Sequence, residues 1–219
     1  MKDKCLLLHQ LFNSLRRFRF PFDDKLDSIP ENGIYIIFEK GETFEGLDRV
    51  VRVGTHTGDN QLPSRLYQHF TDENKDRSIF RKNIGRCFLN LKKSSYAEIW
   101  ELDFTTKVQR EKKAHRRDEP FERRLEKRIT SYIQENLSFV LVEVKTKSKR
   151  LNLESRIIST ISLCSNCKPS PNWLGLHSPK VRIRESGLWQ VNELYKESIR
   201  QNDLEELRRL INRKVITSL

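Results

Sequence analysis

The chain has 219 residues, enough for one well-buried core and too few for two comfortable domains without a visible linker. Its 42 Lys and Arg against 30 Asp and Glu leave a formal charge of +12, the footprint of a protein that meets polyanions, nucleic acid first among them. Three Trp, five Tyr and twelve Phe accompany that charge, which excludes a disordered basic arm.

The opening MKDKCLLLHQLF has an apolar run, but Asp3 and His9 interrupt it and no small-residue cleavage site follows, so it does not read as a signal peptide. No stretch approaches the roughly 20 apolar residues of a membrane span. The expected setting is therefore cytoplasmic, beside the nucleoid, with no membrane partner. Leu7, Leu8, Leu11, Phe12 and Leu15 recur at helical spacing and Arg16, Arg17 and Arg19 crowd the end, predicting an amphipathic helix over 3–17 that docks on the main body.

After SIPENG, the runs IYIIFE and RVVRVG predict an antiparallel pair, with KGETFEGLD as a long turn between them. LPSRLYQHF starts a helix, with Leu62, Leu66 and Phe70 four apart and Pro63 in its first turn. RSIFRKNIGRCFL predicts a second helix, with Ile79, Phe80 and Ile84 inward. Residues 97–104, AEIWELDF, read either as an edge strand or as an irregular segment.

Between Lys107 and Arg128 ten basic residues face five acidic ones, and TTKVQREKKAHRRDE shows no apolar period, so it is expected to be a mobile loop. From Pro120, Phe121, Leu125, Ile129, Tyr132 and Ile133 make the inward stripe of a long helix, with Asp118 or Glu119 at its positive end. FVLVEVKT, 139–146, predicts a central strand. A helix carrying Leu153, Ile157, Ile158 and Ile161 follows. After KPSPNWLGLHSP comes a last helix over 202–217, capped by Asn202 or Asp203 and striped by Leu204, Leu207, Leu210, Ile211 and Val215.

The four cysteines, Cys5, Cys87, Cys164 and Cys167, do not suggest a disulfide framework. CSNC is a CxxC, but a zinc ribbon needs a second pair. Cys5 and Cys87 are isolated, so CSNC reads as packing rather than as a metal site.

Glu154 flanks the inward face of its helix, where a carboxylate is expensive unless a cation meets it. Taken alone it reads as a rim glutamate paired with Arg150 or Arg156. Arg65 and His69 are four apart on one helix face, suited to phosphate and to proton transfer, yet alone they too read as a solvated face. The conjunction changes this: GIYIIFE, RVGTHTG, SRLYQH, a helical glutamate and PNWLG follow one another on a strand, strand, helix, helix, strand, helix background.

In that set the chain resembles the GIY-YIG nuclease superfamily, over about Ile29 to Gly175. The resemblance implies an α+β, sandwich-like fold with a small central antiparallel sheet of three strands flanked by helices. The organisation expected from it is an N-terminal helical extension over 1–28, a nuclease domain over 29–176 with a basic insertion at about 105–120, and a C-terminal helical extension over 177–219. It implies a metal-dependent endonuclease acting on DNA.

Carried over by position, Tyr35 is the first motif tyrosine, Arg65 the catalytic arginine, His69 its neighbouring histidine, Glu154 the metal-binding glutamate and Asn172 the asparagine beyond it. Arg52 stands where the second motif usually has tyrosine, and some family members carry a basic residue there. An ordinary tyrosine, with a pKa near 10, is a poor base at neutral pH, so Tyr35 as general base needs a cation beside it. Arg52 on the adjacent strand is the expected one. Glu154 would hold one Mg²⁺ or Mn²⁺ ion, and Arg65 would neutralise charge on the phosphorane. His69 would orient water or relay its proton, with His56 as a second choice, and Asn172 would position the glutamate or a phosphate.

Arg77 and Arg81, four apart, would reach the DNA backbone unless their role is confined to the surface. The basic loop offers Lys112, Lys113, Arg116 and Arg117 to phosphates. The expected partner is double-stranded DNA, cut by a restriction or defence enzyme. A structure-specific repair or mobile-element nuclease, or a catalytically silent binding protein, is the alternative. Double-strand breaks would require a homodimer or successive nicks.

Overall fold

A computed structural model of the chain describes residues 2–21 and 29–216. Its centre is the strand β2 (Gly33–Phe44), whose odd and even positions alternate between two faces. Ile34, Ile36 and Phe38 enter one core, while Tyr35 and Ile37 enter another. β3 (Leu47–Gly54) pairs antiparallel with β2, and so does β4 (Leu137–Glu143) on its other edge. β4 is central, as expected, because a further strand lies outside it.

That strand, β1 (Phe18–Arg19), makes the sheet four-stranded in the order β1-β4-β2-β3, which corrects the expected three. Two residues carry no periodicity for a sequence pattern to find. Phe18 is placed there by stacking on Phe139 across the pair, with ring centroids 5.4 Å apart.

The β2–β3 connection is also tighter than expected. Strand pairing runs out to Phe44 and Leu47, so the turn is Glu45-Gly46 alone, with φ of 50° and 78°. Two consecutive positive φ values define the hairpin turn whose twist matches the strands, and glycine at the second position adopts it without strain. The irregularity moves into β2, where pairing shifts register between Phe38 and Thr43 around Gly41 at φ 86°.

Helices cover both faces. On the Ile34 face lie α1 (Lys2–Asn13), through Cys5, Leu8 and Phe12, and two later helices carrying Leu153, Ile157, Leu204 and Leu207. On the Tyr35 face lie α2 (Leu62–Phe70) and α3 (Ile79–Leu91). The α1 helix stops at Asn13, short of the expected residue 17, but docks as predicted.

AEIWELDF is neither a strand nor wholly irregular: it opens as a single helical turn, α4 (Ala97–Trp100), that buries Trp100. The basic segment after it is likewise not a loop, since it forms α5 (Lys107–Lys113) and a 3₁₀ turn over Ala114–Arg116. Thr106 caps α5 by accepting from Gln109 N–H at 3.2 Å. This helix buries no residue, so an apolar period was the wrong signal to seek; capping and helix-favouring Lys, Arg, Gln and Glu side chains hold it.

α6 (Glu119–Asn136) has Asp118 as its cap, accepting from Phe121 N–H at 2.9 Å. α7 (Lys147–Ser162) carries Glu154, and a short helix, α8 (Val181–Ser186), was not anticipated. α9 (Gln201–Ile216) starts one residue before its expected caps. Asp203 lies inside the first turn and reaches back to accept from Arg200 N–H at 3.2 Å. Position 217 and the side chain of Val215 lie outside the described residues, as do residues 22–28 of the expected N-terminal extension. Among the described residues no helix is long and apolar enough to cross a membrane.

Candidate active site

The site is built where β2 begins and β3 ends. Tyr35 pairs directly with Gly54, and the hydroxyl end of its ring lies against that glycine. A Cβ at position 54 would stand 2.1 Å from the Tyr35 hydroxyl, so the glycine is what lets the tyrosine take this place. Gly54→Ala is therefore expected to displace the ring, to cost about 1–3 kcal/mol as an overpacked core does, and to silence any activity that depends on the hydroxyl. Urea unfolding alongside the activity assay checks both parts.

Tyr35 is only 1 % exposed. Its hydroxyl lies 2.8 Å from His69 Nε2, and His69 Nδ1 lies 2.7 Å from Ser78 Oγ. Burial, reinforced by the charges of Arg52, Arg65 and Arg81, holds the His69 pKa well below its ordinary value. The imidazole is neutral, with a tautomer set by its two hydroxyl partners. Ser78 is fixed in turn as the cap of α3, where its Oγ accepts from Arg81 N–H at 3.3 Å.

Arg52 faces the same side of the sheet as Tyr35, because it pairs with Ile37, two positions on from Tyr35 in unbroken register with the Tyr35–Gly54 pair. Its Nη1 donates to Trp189 O at 2.6 Å and its guanidinium packs on Phe80, 4.9 Å from the ring centroid. The immediate partner of the tyrosyl hydroxyl is thus His69 rather than Arg52. Arg52 acts instead through its field, which reaches both His69 and Glu154. Its Nε is buried with no hydrogen-bond partner among the described residues.

Glu154 projects from α7 to the loop after β3, where Thr55 N–H donates to Oε1 at 3.0 Å. Thr55 Oγ in turn donates to Gly33 O at 2.7 Å, tying that loop to the start of β2. Burial pushes the Glu154 pKa up to about 7, against the opposing pull of Arg52, Thr55 N–H and Arg65. Neither Arg150 nor Arg156 pairs with it: Arg150 is buried against Val144 and Lys145 carbonyls, and Arg156 pairs with Glu197. Glu193, from the C-terminal stretch, is a further acidic charge bearing on Glu154.

Arg65 is half-buried on α2, donating to Gln68 Oε1 and to Arg77 O, each at 3.1 Å. Arg77 is exposed beside it.

Four residues expected at the site are bonded elsewhere or stand apart from Glu154. Arg81 is fully buried, bonded to Glu126, Thr130 and the His69 carbonyl, so it braces α3 against α6 and cannot reach DNA. In His56, Nδ1–H donates to Gly58 O at 2.7 Å and Nε2 accepts from Gly33 N–H at 3.3 Å; with both nitrogens committed, it shapes the loop. Asn172 is exposed and no hydrogen bond joins it to Glu154; its neighbours Ser170 and Trp173 are held by Glu42 and Glu39, farther along β2. Arg117 is spoken for by Glu122 and by the ring of Phe104. Lys112 and Arg116 are exposed on and after α5, and Lys113 partly so.

Sequence reasoning missed Thr55, Ser78 and Glu193. Thr55 works through its amide, Ser78 had a visible signal as a helix cap three residues before Arg81, and Glu193 is brought in only by tertiary packing.

The cluster offers a carboxylate oriented by an amide, two arginine charges and a tyrosine–histidine–serine chain. A single partly enclosed carboxylate fits a hard divalent cation that keeps most of its waters, and an unsatisfied guanidinium N–H fits an arriving anion. A family model described as a GIY-YIG domain matches residues 6–216. No curated protein and no solved structure matches the chain.

Proposed function

The chain belongs to the GIY-YIG domain family and its function is of the nuclease type, and from that premise we propose that it is a metal-dependent endonuclease hydrolysing phosphodiester bonds in double-stranded DNA. The observation that carries this reading is the tethered Glu154 carboxylate, lying in the field of the same two arginines that act on the His69–Tyr35 pair.

In this reading Glu154 holds one Mg²⁺ or Mn²⁺ ion, which when bound polarises the phosphoryl oxygen and stabilises the leaving alkoxide. Tyr35 is the base. Its near-complete burial keeps bulk water from the hydroxyl, which the hydrogen bond to the neutral His69 Nε2 holds in place. That bond uses the tautomer in which Nδ1–H donates to Ser78 Oγ. Arg65 meets charge developing on the phosphorane. Arg52 supplies a positive field that favours an incoming phosphate, and Arg77, Lys112, Lys113 and Arg116 contact the DNA backbone.

The test is nicking of supercoiled plasmid in Mg²⁺ with and without EDTA: cleavage that EDTA abolishes supports the reading, and an inert protein that still binds DNA makes it a silent binder. On long defined DNA, discrete fragments mark a restriction or defence role, whereas preference for branched substrates marks repair. A homodimer is the expected form if both strands are cut together.

The pH dependence follows from Glu154. Because its pKa is raised to about 7, the proton competes with the cation below that pH. At limiting Mg²⁺ the cleavage rate is expected to climb about tenfold per pH unit on the acid side of 7 and level off above it. Saturating Mg²⁺ should shift the midpoint toward acid. A midpoint that ignores Mg²⁺ concentration would place the titration on another group.

A further inference from the structure

The fold brings together three of the four cysteines and a histidine, on the face of the sheet opposite Tyr35. Cys5 and His9 are one turn apart on α1, and Cys164 and Cys167 close the turn after α7. His9 Nδ1 lies 3.7 Å from Cys5 Sγ, and His9 Nε2 lies 3.8 Å from Cys167 Sγ, across 158 positions of sequence. The ligand atoms of Cys5, His9 and Cys167 all fall within 4.8 Å of one another. Cys164 lies outside that group of three but follows α7 in the same turn as Cys167 and packs in the same core, and all four side chains are at most 2 % exposed.

We propose that Cys5, Cys164, Cys167 and His9 form a structural zinc site that staples the N-terminal helix to the end of α7. Around a tetrahedral zinc with bonds of about 2.3 Å to sulfur and 2.0–2.1 Å to nitrogen, neighbouring ligand atoms stand roughly 3.5–3.8 Å apart. The separation that involves the free nitrogen, His9 Nε2 to Cys167 Sγ at 3.8 Å, is of that size. His9 Nδ1–H donates to Cys5 O at 2.8 Å, the backbone bond that commonly fixes the tautomer of a ligating histidine. It leaves the lone pair on Nε2, the nitrogen nearer Cys167; that lone pair accepts from Val50 N–H at 3.2 Å, a bond the metal replaces.

The site is closed. Four protein ligands and no exposed edge describe a structural rather than a catalytic ion, taken up during folding. It is separate from Glu154, which sits midway along α7, reaches Thr55 in the loop after β3 and offers an oxygen ligand.

Zinc content of the full chain, purified under reducing conditions without chelators, tests this. One zinc per chain is expected, lost in Cys5→Ser and in Cys167→Ser and retained in Cys87→Ser, whose buried thiol lies in the other core. If the serine variants do not fold, Co²⁺ exchanged into the unaltered protein decides: a thiolate-to-cobalt charge-transfer band with intense tetrahedral visible bands supports the site. Protein that carries no zinc and gives no such band overturns it, as does zinc that survives in a folded Cys5→Ser/Cys167→Ser double variant. None of these readings depends on DNA cleavage, so they stand whether or not the chain proves to be a nuclease.

Discussion

Glu154→Gln should lower Mg²⁺-dependent DNA cleavage by about 10³-fold or more, the loss expected when the group holding a Lewis-acid cation is neutralised, while the fold stays intact. The side chain keeps its length, and its amide oxygen can still accept from Thr55 N–H, which now bonds Oε1 at 3.0 Å. Burial raises the Glu154 pKa, so the ionised carboxylate is a strained occupant of its place. The sign follows: the folded-state pKa lies above the unfolded one, so the stability associated with this group is full in acid and is lost as pH rises through about 7. Glutamine carries no such loss, and above pH 7 the variant should melt no lower than the parent. Parallel nicking assays and thermal melts check the two halves. Cleavage within tenfold of the parent, by a protein that melts normally, would remove Glu154 from the metal site.

Tyr35→Phe tests the other half of the mechanism. It deletes one oxygen while leaving the ring packed over Gly54, so cleavage should fall by about 10²–10⁴-fold, the range for a lost general base. A stability cost of roughly 1–3 kcal/mol should accompany it, because His69 Nε2 loses its 2.8 Å partner in a buried site. The two losses separate by measurement: urea unfolding reports the orphaned nitrogen, and single-turnover cleavage by fully folded protein reports the base. A variant that is destabilised but cuts at the parent rate would leave the Tyr35–His69 contact a packing feature only.

Much of the candidate site was legible because its residues sit on elements that announce themselves. Tyr35 and Gly54 lie in strands of apolar alternation, and Arg65, His69 and Glu154 lie on helices with clear stripes. The structure brings Tyr35 to His69, places Arg52 on the same face and turns Glu154 toward Thr55. Less legible was which polar groups were already committed. Arg81, His56 and Arg117 look from sequence like solvated or chemical side chains, and each is held by partners: Arg81 by Glu126 on α6, His56 within its own loop and Arg117 by Glu122 in the first turn of α6. A buried arginine and an exposed one differ in what surrounds them, which residue type does not record.

Sequence by itself determined the strands of the hairpin, the helices with apolar stripes, the family and the order of the motif residues, because period and spacing are local properties that each element carries within itself. Tertiary structure alone decided the rest: a two-residue fourth strand set by one aromatic stack, the burial of Arg81 against α6, and the turning of Glu154 toward Thr55. It also decided the fate of CSNC. Cys5 and His9, on a helix at the other end of the sequence, lie beside Cys167, and only the packing of α1 and α7 on the same face of the sheet makes them neighbours.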